Sequence, residues 1–190
     1  IMFNKDKKIN KVTVISILSS LSVILFFIGG VPLFLTFPYL KVDFSDIPAL
    51  VGAMLLSPSA GIMIEFLKNL IHLLQTHTMG IGELISFAVG STVILSFCIP
   101  YRLLIKKQKI KVAIFISYII CIAITLFVAL IVNGMLYPLF LSAVLSQKLV
   151  GGIMTSYLLA VVLINIVKVS VTVWGSVLMV KFLKGKVVDE

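Results

Sequence analysis

The chain has 190 residues, of which 61% are apolar and 12% are charged, whereas an ordinary soluble domain is about 45–50% apolar and about 25% charged. That balance excludes a soluble globular protein and a disordered chain, and because apolar segments recur to the C-terminus, one signal peptide or one anchor does not explain it. The formal net charge of +9 comes from cations beside apolar segments, which orient helices in a bilayer and do not indicate nucleic-acid binding. We therefore predict an all-α integral membrane protein, with residues 1–190 forming a single six-helix membrane domain.

The first predicted helix covers residues 12–28, an apolar run that follows a basic head and is just long enough to cross a bilayer. Glycine and proline end it, and residues 31–46 (VPLFLTFPYLKVDFSD) hold two prolines, several aromatic residues and three charges. This composition predicts a long first extracellular loop. Ser45 or Asp46 is expected to cap the helix that follows, with Pro48 in its first turn.

The apolar segment that follows this loop is either one kinked helix or two passes divided at residues 57–61 (SPSAG). One pass would put the basic tract at residues 102–111 on the opposite side of the membrane from the basic N-terminus. Two passes put both clusters, and the basic C-terminus, on the cytoplasmic side. We therefore predict helices at residues 47–57 and 59–75, of which the first is too short to cross a bilayer and leaves a recess beside it.

Three more helices are predicted, at residues 83–105, 112–136 and 153–182, which gives six helices with both termini cytoplasmic. A Gly-rich turn precedes the fourth helix, and a loop is expected at residues 137–152. In the turn, Glu83 favours a helix N-terminus, while the glycines would allow a ligand to approach the backbone closely, and both interpretations stay open.

Charged and amide side chains inside apolar helices are costly, so each indicates a partner or a function. Glu65 and Lys68 are three residues apart on one helix and are expected to neutralise each other. Lys168 is the only ionisable residue between positions 153 and 180, and Asn165 and Thr172 share its helical face. This polar stripe is either an interhelical hydrogen-bond network or part of a ligand site.

A second intramembrane amide, Asn133, is predicted near the outer end of the fifth helix. A lone asparagine in a membrane helix is more often an interhelical hydrogen-bond donor than a ligand contact. Amides both donate and accept, however, so Asn133 and Asn165 together suit a planar ligand whose edge alternates carbonyl and N–H groups.

Catalytic signatures are absent from the sequence, since it has no phosphate-binding loop, no H-E-x-x-H and no G-x-S-x-G. An intramembrane enzyme would have to use titratable groups such as Glu65, His72, His77 and Glu83, and no spacing places a nucleophile beside a base. We expect a protein that is not an enzyme and holds no metal. Cys98 and Cys121 are expected to be small buried residues.

Four motifs occur in order along the chain: KVDFSDIPAL (residues 41–50), SPSAG (57–61), GIGELISF (80–87) and NIVK (165–168). With these motifs the chain resembles the substrate-binding S components of energy-coupling factor (ECF) vitamin transporters, and most closely the riboflavin-specific ones. The resemblance implies a six-helix membrane protein of the cell membrane that captures riboflavin from outside. It also implies a membrane scaffold subunit and two cytoplasmic ATPase subunits as partners, with riboflavin as the transported ligand and no cofactor. An S component for another vitamin is the alternative.

The same resemblance implies a ligand pocket formed by the first outer loop and the outer halves of the later helices. The residues expected in it are Leu40, Lys41, Asp43, Phe44, Gly80, Glu83, Asn133, Asn165 and Lys168. Amides and Lys168 would bond the isoalloxazine edge, apolar groups would cover its faces, and loop polar groups would meet the ribityl hydroxyls. Because Lys168 is the single cation between positions 153 and 180, neutral riboflavin is favoured over its phosphate.

Docking of the scaffold is a further expectation that follows from the resemblance. S components commonly carry A-x-x-x-A on the first helix, where this chain has the equally spaced Ser16 and Ser20. Serine is nearly as small as alanine, so close helix approach is preserved. Ser16, Ser19 and Ser20 are therefore the expected docking residues, and Ser19 with Ser22 offers an alternative face.

Overall fold

A computed structural model describes residues 7–33, 40–76, 78–144 and 147–188, and these are almost entirely helical. The helices are α1 (Lys7–Gly29), α2 (Asp46–Leu55), α3 (Pro58–His72), α4 (Ile81–Leu104), α5 (Ile110–Val144) and α6 (Gln147–Val188). Two short strands, β1 (Val31–Pro32) and β2 (Lys41–Val42), pair antiparallel in the first loop. A 3-10 turn, Leu73–Gln75, extends α3.

Four of the described helices, α1, α4, α5 and α6, are long and apolar enough to cross a membrane. The helix α2 has 10 residues, which is about half the length that a membrane crossing requires, so the predicted short second helix is confirmed. The division at Ser57 and Pro58 is also confirmed, because the Ser57 side chain accepts the backbone N–H of Ala60 and Pro58 begins α3.

The short helix α2 lies at the centre of the bundle and packs against α1, α3, α4 and α6. Ala49, Leu50, Val51 and Ala53 are completely buried in it. The close contact with α3 depends on Gly61, where a Cβ atom would lie 2.6 Å from the Ala53 Cβ. A side chain of α4 binds the C-terminal end of α2, since Arg102 Nη2 donates to the Ala53 carbonyl over 2.9 Å.

The N-terminal end of α2 is held differently from the prediction that Ser45 or Asp46 caps it. Ser45 occupies the N-cap position, but its side chain makes no capping hydrogen bond. Its hydroxyl donates instead to the Asp43 carboxylate, and Asp46 faces two lysines. Serine side chains of two other helices secure this end. The Ser22 hydroxyl of α1 donates to the Ser45 carbonyl, and the Ser176 hydroxyl of α6 donates to the Ile47 carbonyl.

The predicted loop at residues 137–152 is wrong, because α5 continues to Val144 and α6 already begins at Gln147. The segment contains Pro138, which lies inside α5. A proline removes one backbone hydrogen bond, and membrane helices tolerate that loss where neighbours support them. Asn133 therefore lies about three turns before the end of its helix rather than near the end.

Candidate functional site

A cavity lies beside the first-loop residues that precede α2. The cavity has a volume of about 190 Å³. Its walls come from α1, the first loop, the end of α3, the turn before α4, and the helices α4, α5 and α6. The lining residues are Phe26, Leu40, Lys41, Asp43, His72, Thr78, Ile81, Gly82, Ile85, Ser86, Val89, Asn133, Tyr137, Tyr157, Val161, Ile164, Asn165 and Lys168.

Six of the nine predicted pocket residues line this cavity together: Leu40, Lys41, Asp43, Asn133, Asn165 and Lys168. They come from the first loop, α5 and α6, which are far apart in the sequence. Phe44, Gly80 and Glu83 do not line it. Phe44 is half exposed, and Gly80 forms the N-cap of α4 with a φ of 85°.

Lys168 belongs to a buried ionic network that the sequence did not reveal. Its Nζ atom lies 3.1 Å from Asp46 Oδ2 and 3.7 Å from Asp43 Oδ2. Asp46 is shared with Lys68, whose Nζ atom is 2.5 Å from Asp46 Oδ1 and 2.6 Å from Glu65 Oε1. The predicted Glu65–Lys68 pair is thus confirmed, and the network ties α3 and α6 to the first loop and α2.

The two amides have the same local geometry. Asn133 Nδ2 donates to the Ala129 carbonyl and Asn165 Nδ2 to the Val161 carbonyl, each over 2.8 Å and one helical turn back. An amide nitrogen has two hydrogens, so each side chain keeps a second donor. Both amides line the cavity, whereas Thr172, the third residue of the predicted stripe, does not.

Sequence reasoning missed an aromatic pair in the wall, Tyr137 of α5 and Tyr157 of α6. Their rings are stacked, with centroids 3.6 Å apart and planes 11° from parallel. A signal was present, because Tyr137 is four residues after Asn133, and Tyr157, Val161 and Asn165 follow one another at intervals of four. The predicted loop at residues 137–152 places Tyr137 outside the helices, so this spacing does not enter the prediction.

His72, which lines the cavity, contacts Glu83, with His72 Nδ1 and Glu83 Oε1 2.8 Å apart. Glu83 also accepts hydrogen bonds from the hydroxyls of Thr76 and Thr78, so it holds the turn before α4 together. The His72 ring contacts the Phe26 ring, with centroids 4.1 Å apart. His77, the remaining titratable residue of the enzyme hypothesis, lies outside the described residues.

The serines of α1 point in different directions. The hydroxyls of Ser16 and Ser20 are on the exposed side and donate to carbonyls of their own helix. Ser19 is buried, and Ser22 is buried against the first loop. Of the three expected docking residues, Ser16 and Ser20 are therefore exposed, whereas Ser19 and its alternative partner Ser22 face the inside of the protein.

Comparison with known proteins gives consistent results. Residues 10–180 match the family model described as "ECF transporter, substrate-specific component". The chain is 34% identical over 107 residues to the riboflavin transporter FmnP of Bacillus subtilis (strain 168), and this match covers 53% of this chain and 52% of that protein. It is 28% identical over 174 residues to the riboflavin transporter RibU of Staphylococcus aureus (strain TCH60), and this match covers 86% of this chain and 92% of that protein.

A solved structure described as the S component of a bacterial ECF transporter superposes with a TM-score of 0.77 at 25% identity. The superposition covers 94% of this chain and 97% of the other. The predicted fold, that of an S component of an ECF transporter, is therefore confirmed. The chain therefore belongs to the substrate-specific components of ECF transporters, which are transporter subunits rather than enzymes, as its motifs predict.

Proposed function

We propose that the chain binds riboflavin from outside the cell and delivers it to an ECF transporter. The partners are a membrane scaffold subunit and two cytoplasmic ATPases, and both termini of the chain are cytoplasmic. One observation carries the proposal, namely the cavity that brings Asn133, Asn165 and Lys168 together with the first loop. The riboflavin transporters named above, one of which matches 86% of this chain and the other 53%, support the choice of vitamin.

The chemistry of the cavity suits a flavin. Apolar side chains, among them Leu40, Ile85 and Val89, offer the surface that a tricyclic ring needs on its faces. The amides of Asn133 and Asn165 keep free donors for carbonyl groups at the ring edge. Lys41 and Asp43 of the first loop are placed to meet the hydroxyls of the ribityl chain.

Two of the three predicted residues outside the cavity, Gly80 and Glu83, receive indirect roles in this proposal. Gly80 and Glu83 shape the turn from which Thr78, Ile81 and Gly82 reach the cavity wall. Phe44 belongs to the loop segment between Asp43 and the N-cap of α2. Neutral riboflavin is favoured over its phosphate because Asp43 and Asp46 already offset the charge of Lys168.

Binding is tested with the protein purified in detergent, by its absorbance spectrum and by titration with riboflavin. Asn165→Leu removes a cavity amide without touching the ionic network, and Lys168→Met removes the cation. Each is expected to weaken binding about 10- to 100-fold, because a polar group of the ligand then stays buried and unpaired at about 1–3 kcal/mol. Lys181→Met, an exposed cation on the same helix, serves as the matched control and should bind as the native chain does.

Two results would contradict the proposal. A preparation without flavin absorbance that also binds no added riboflavin excludes riboflavin as the ligand. Full affinity in both Asn165→Leu and Lys168→Met moves the site elsewhere. Competition with a panel of other vitamins and with riboflavin phosphate distinguishes the alternative ligands.

The exposed face of α1 at Ser16 and Ser20 is the proposed docking surface for the scaffold subunit. Small side chains there permit close approach of a partner helix.

A further inference from the structure

The amide of Asn133 is held at both of its ends. Its Nδ2 atom donates to the Ala129 carbonyl over 2.8 Å, and its Oδ1 atom accepts from the Tyr157 hydroxyl over 2.6 Å. A backbone carbonyl only accepts, so the nitrogen must face Ala129 and the oxygen must face the hydroxyl. The amide therefore has a single orientation, with one N–H and one lone pair left for a ligand.

Tyr157 is itself fixed in place. Its ring is 2% exposed and is stacked on Tyr137, with centroids 3.6 Å apart. Because this stack uses the ring faces, the position of the ring does not depend on the hydroxyl group. The hydroxyl reaches across from α6 to α5 and thus connects the helix that carries Asn165 and Lys168 to the helix that carries Asn133.

We propose that Tyr157 is a positioning residue for the ligand, which it serves by fixing the orientation of the Asn133 amide. This inference rests on the proposed function, because it assigns a role within the same cavity. Without the hydroxyl, Asn133 Oδ1 loses a buried partner and the amide gains freedom to rotate about its side-chain bonds. An amide that must first be oriented when the ligand binds lowers the affinity, because orienting it costs free energy. A preoriented amide avoids this cost.

The test is a double-mutant cycle of riboflavin affinity with Tyr157→Phe and Asn133→Leu. Tyr157→Phe keeps the stacked ring and is expected to weaken binding about 10-fold. In the Asn133→Leu background the same change should alter affinity by less than about twofold, because the group it positions is gone. If Asn133→Leu does not fold, Asn133→Ala takes its place in the cycle.

Tyr118→Phe is the matched control. The Tyr118 hydroxyl lies 2.8 Å from the Ser170 hydroxyl and also joins α5 to α6, but Tyr118 does not line the cavity. This variant should bind within about twofold of the native chain. It shows whether losing any tyrosine hydroxyl between these helices weakens binding.

The outcomes separate the two proposals. Native affinity in Tyr157→Phe overturns the positioning role while riboflavin binding by the native chain stands. An equal loss in both backgrounds of the cycle also overturns it, since Tyr157 then acts without Asn133. If neither the native chain nor Tyr118→Phe binds riboflavin, the proposed function is wrong and the positioning role is wrong with it.

Discussion

Lys68 has the environment least suited to its residue type, because its charged side chain has no exposure to solvent. It is stabilised by two carboxylates, Asp46 at 2.5 Å and Glu65 at 2.6 Å. Burying such a group costs several kcal/mol, which its partners must offset. The three charges depend on one another, so removing one leaves the others uncompensated.

Lys68→Met is accordingly expected to destabilise the protein by about 3–5 kcal/mol, because it leaves Asp46 with Lys168 alone and Glu65 without its lysine. The measurement is the unfolding midpoint in detergent. Lys106→Met, the same change at an exposed loop position, should stay within about 0.5 kcal/mol of the native chain. Equal midpoints for the two variants would show that the ion pairs contribute nothing net.

At the residue scale, the sequence showed which groups are exceptional but not which groups they meet. Lys168, Asn133 and Asn165 are conspicuous because polar groups are rare in apolar helices. The pairing of Lys168 with Asp43 and Asp46 joins the last helix to the first loop. No local pattern encodes that contact, because it depends on how the helices are arranged.

Among the elements, α2 is the shortest of the described α-helices, with 10 residues, and the first-loop residues just before it line the cavity. Its packing relies on small residues. At Gly61 of α3 a Cβ atom would meet the Ala53 Cβ at 2.6 Å and the Ala49 carbonyl oxygen at 2.7 Å. The backbone at this contact has little freedom to move away.

Gly61→Ala should therefore destabilise the bundle by about 1–3 kcal/mol, since an added methyl group overpacks the contact between α2 and α3. Gly134→Ala makes the same change inside α5, where a Cβ atom would have no neighbour within 4 Å. That control is expected to be neutral or stabilising by up to about 1 kcal/mol, because alanine favours a helix. Thermal unfolding of both variants in detergent measures the difference, and a loss shared equally by the two would contradict the packing argument.

Element boundaries were less predictable than element number. Ser57 with Pro58 marked the start of α3 correctly, because side-chain capping and the fixed φ of proline act locally. The predicted end of the fifth helix at residue 136 is wrong, because tertiary support lets a membrane helix continue through a proline such as Pro138. The same error hid Tyr137 and with it the stacked aromatic wall.

For the whole molecule, the distribution of cations predicts the orientation in the membrane. The helix α4 has 24 residues, about 36 Å in length, and joins the turn before it to the basic loop that follows. Its two flanking turns must therefore lie on opposite sides of the bilayer. We expect the turn at Met79 outside and the loop at Gln108 inside.

Cysteine labelling of intact cells checks this orientation. Met79 is 73% exposed and Gln108 is exposed, whereas the native Cys98 and Cys121 are buried and should react little. A membrane-impermeant maleimide should label Met79→Cys in intact cells and Gln108→Cys only after permeabilisation. The reverse pattern would place the cavity on the cytoplasmic side and contradict capture from outside.

The sequence by itself determined the class of protein, the number of helices, the short second helix and which polar residues are exceptional in apolar helices. These follow from apolar length, from local capping and from the cost of polar groups in a bilayer, all of which act along the chain. Only the tertiary structure decided the shape of the cavity, the partners of Lys168 and the contact between Tyr157 and Asn133. Those depend on contacts between helices that are distant in sequence, and such contacts arise from packing rather than from local pattern.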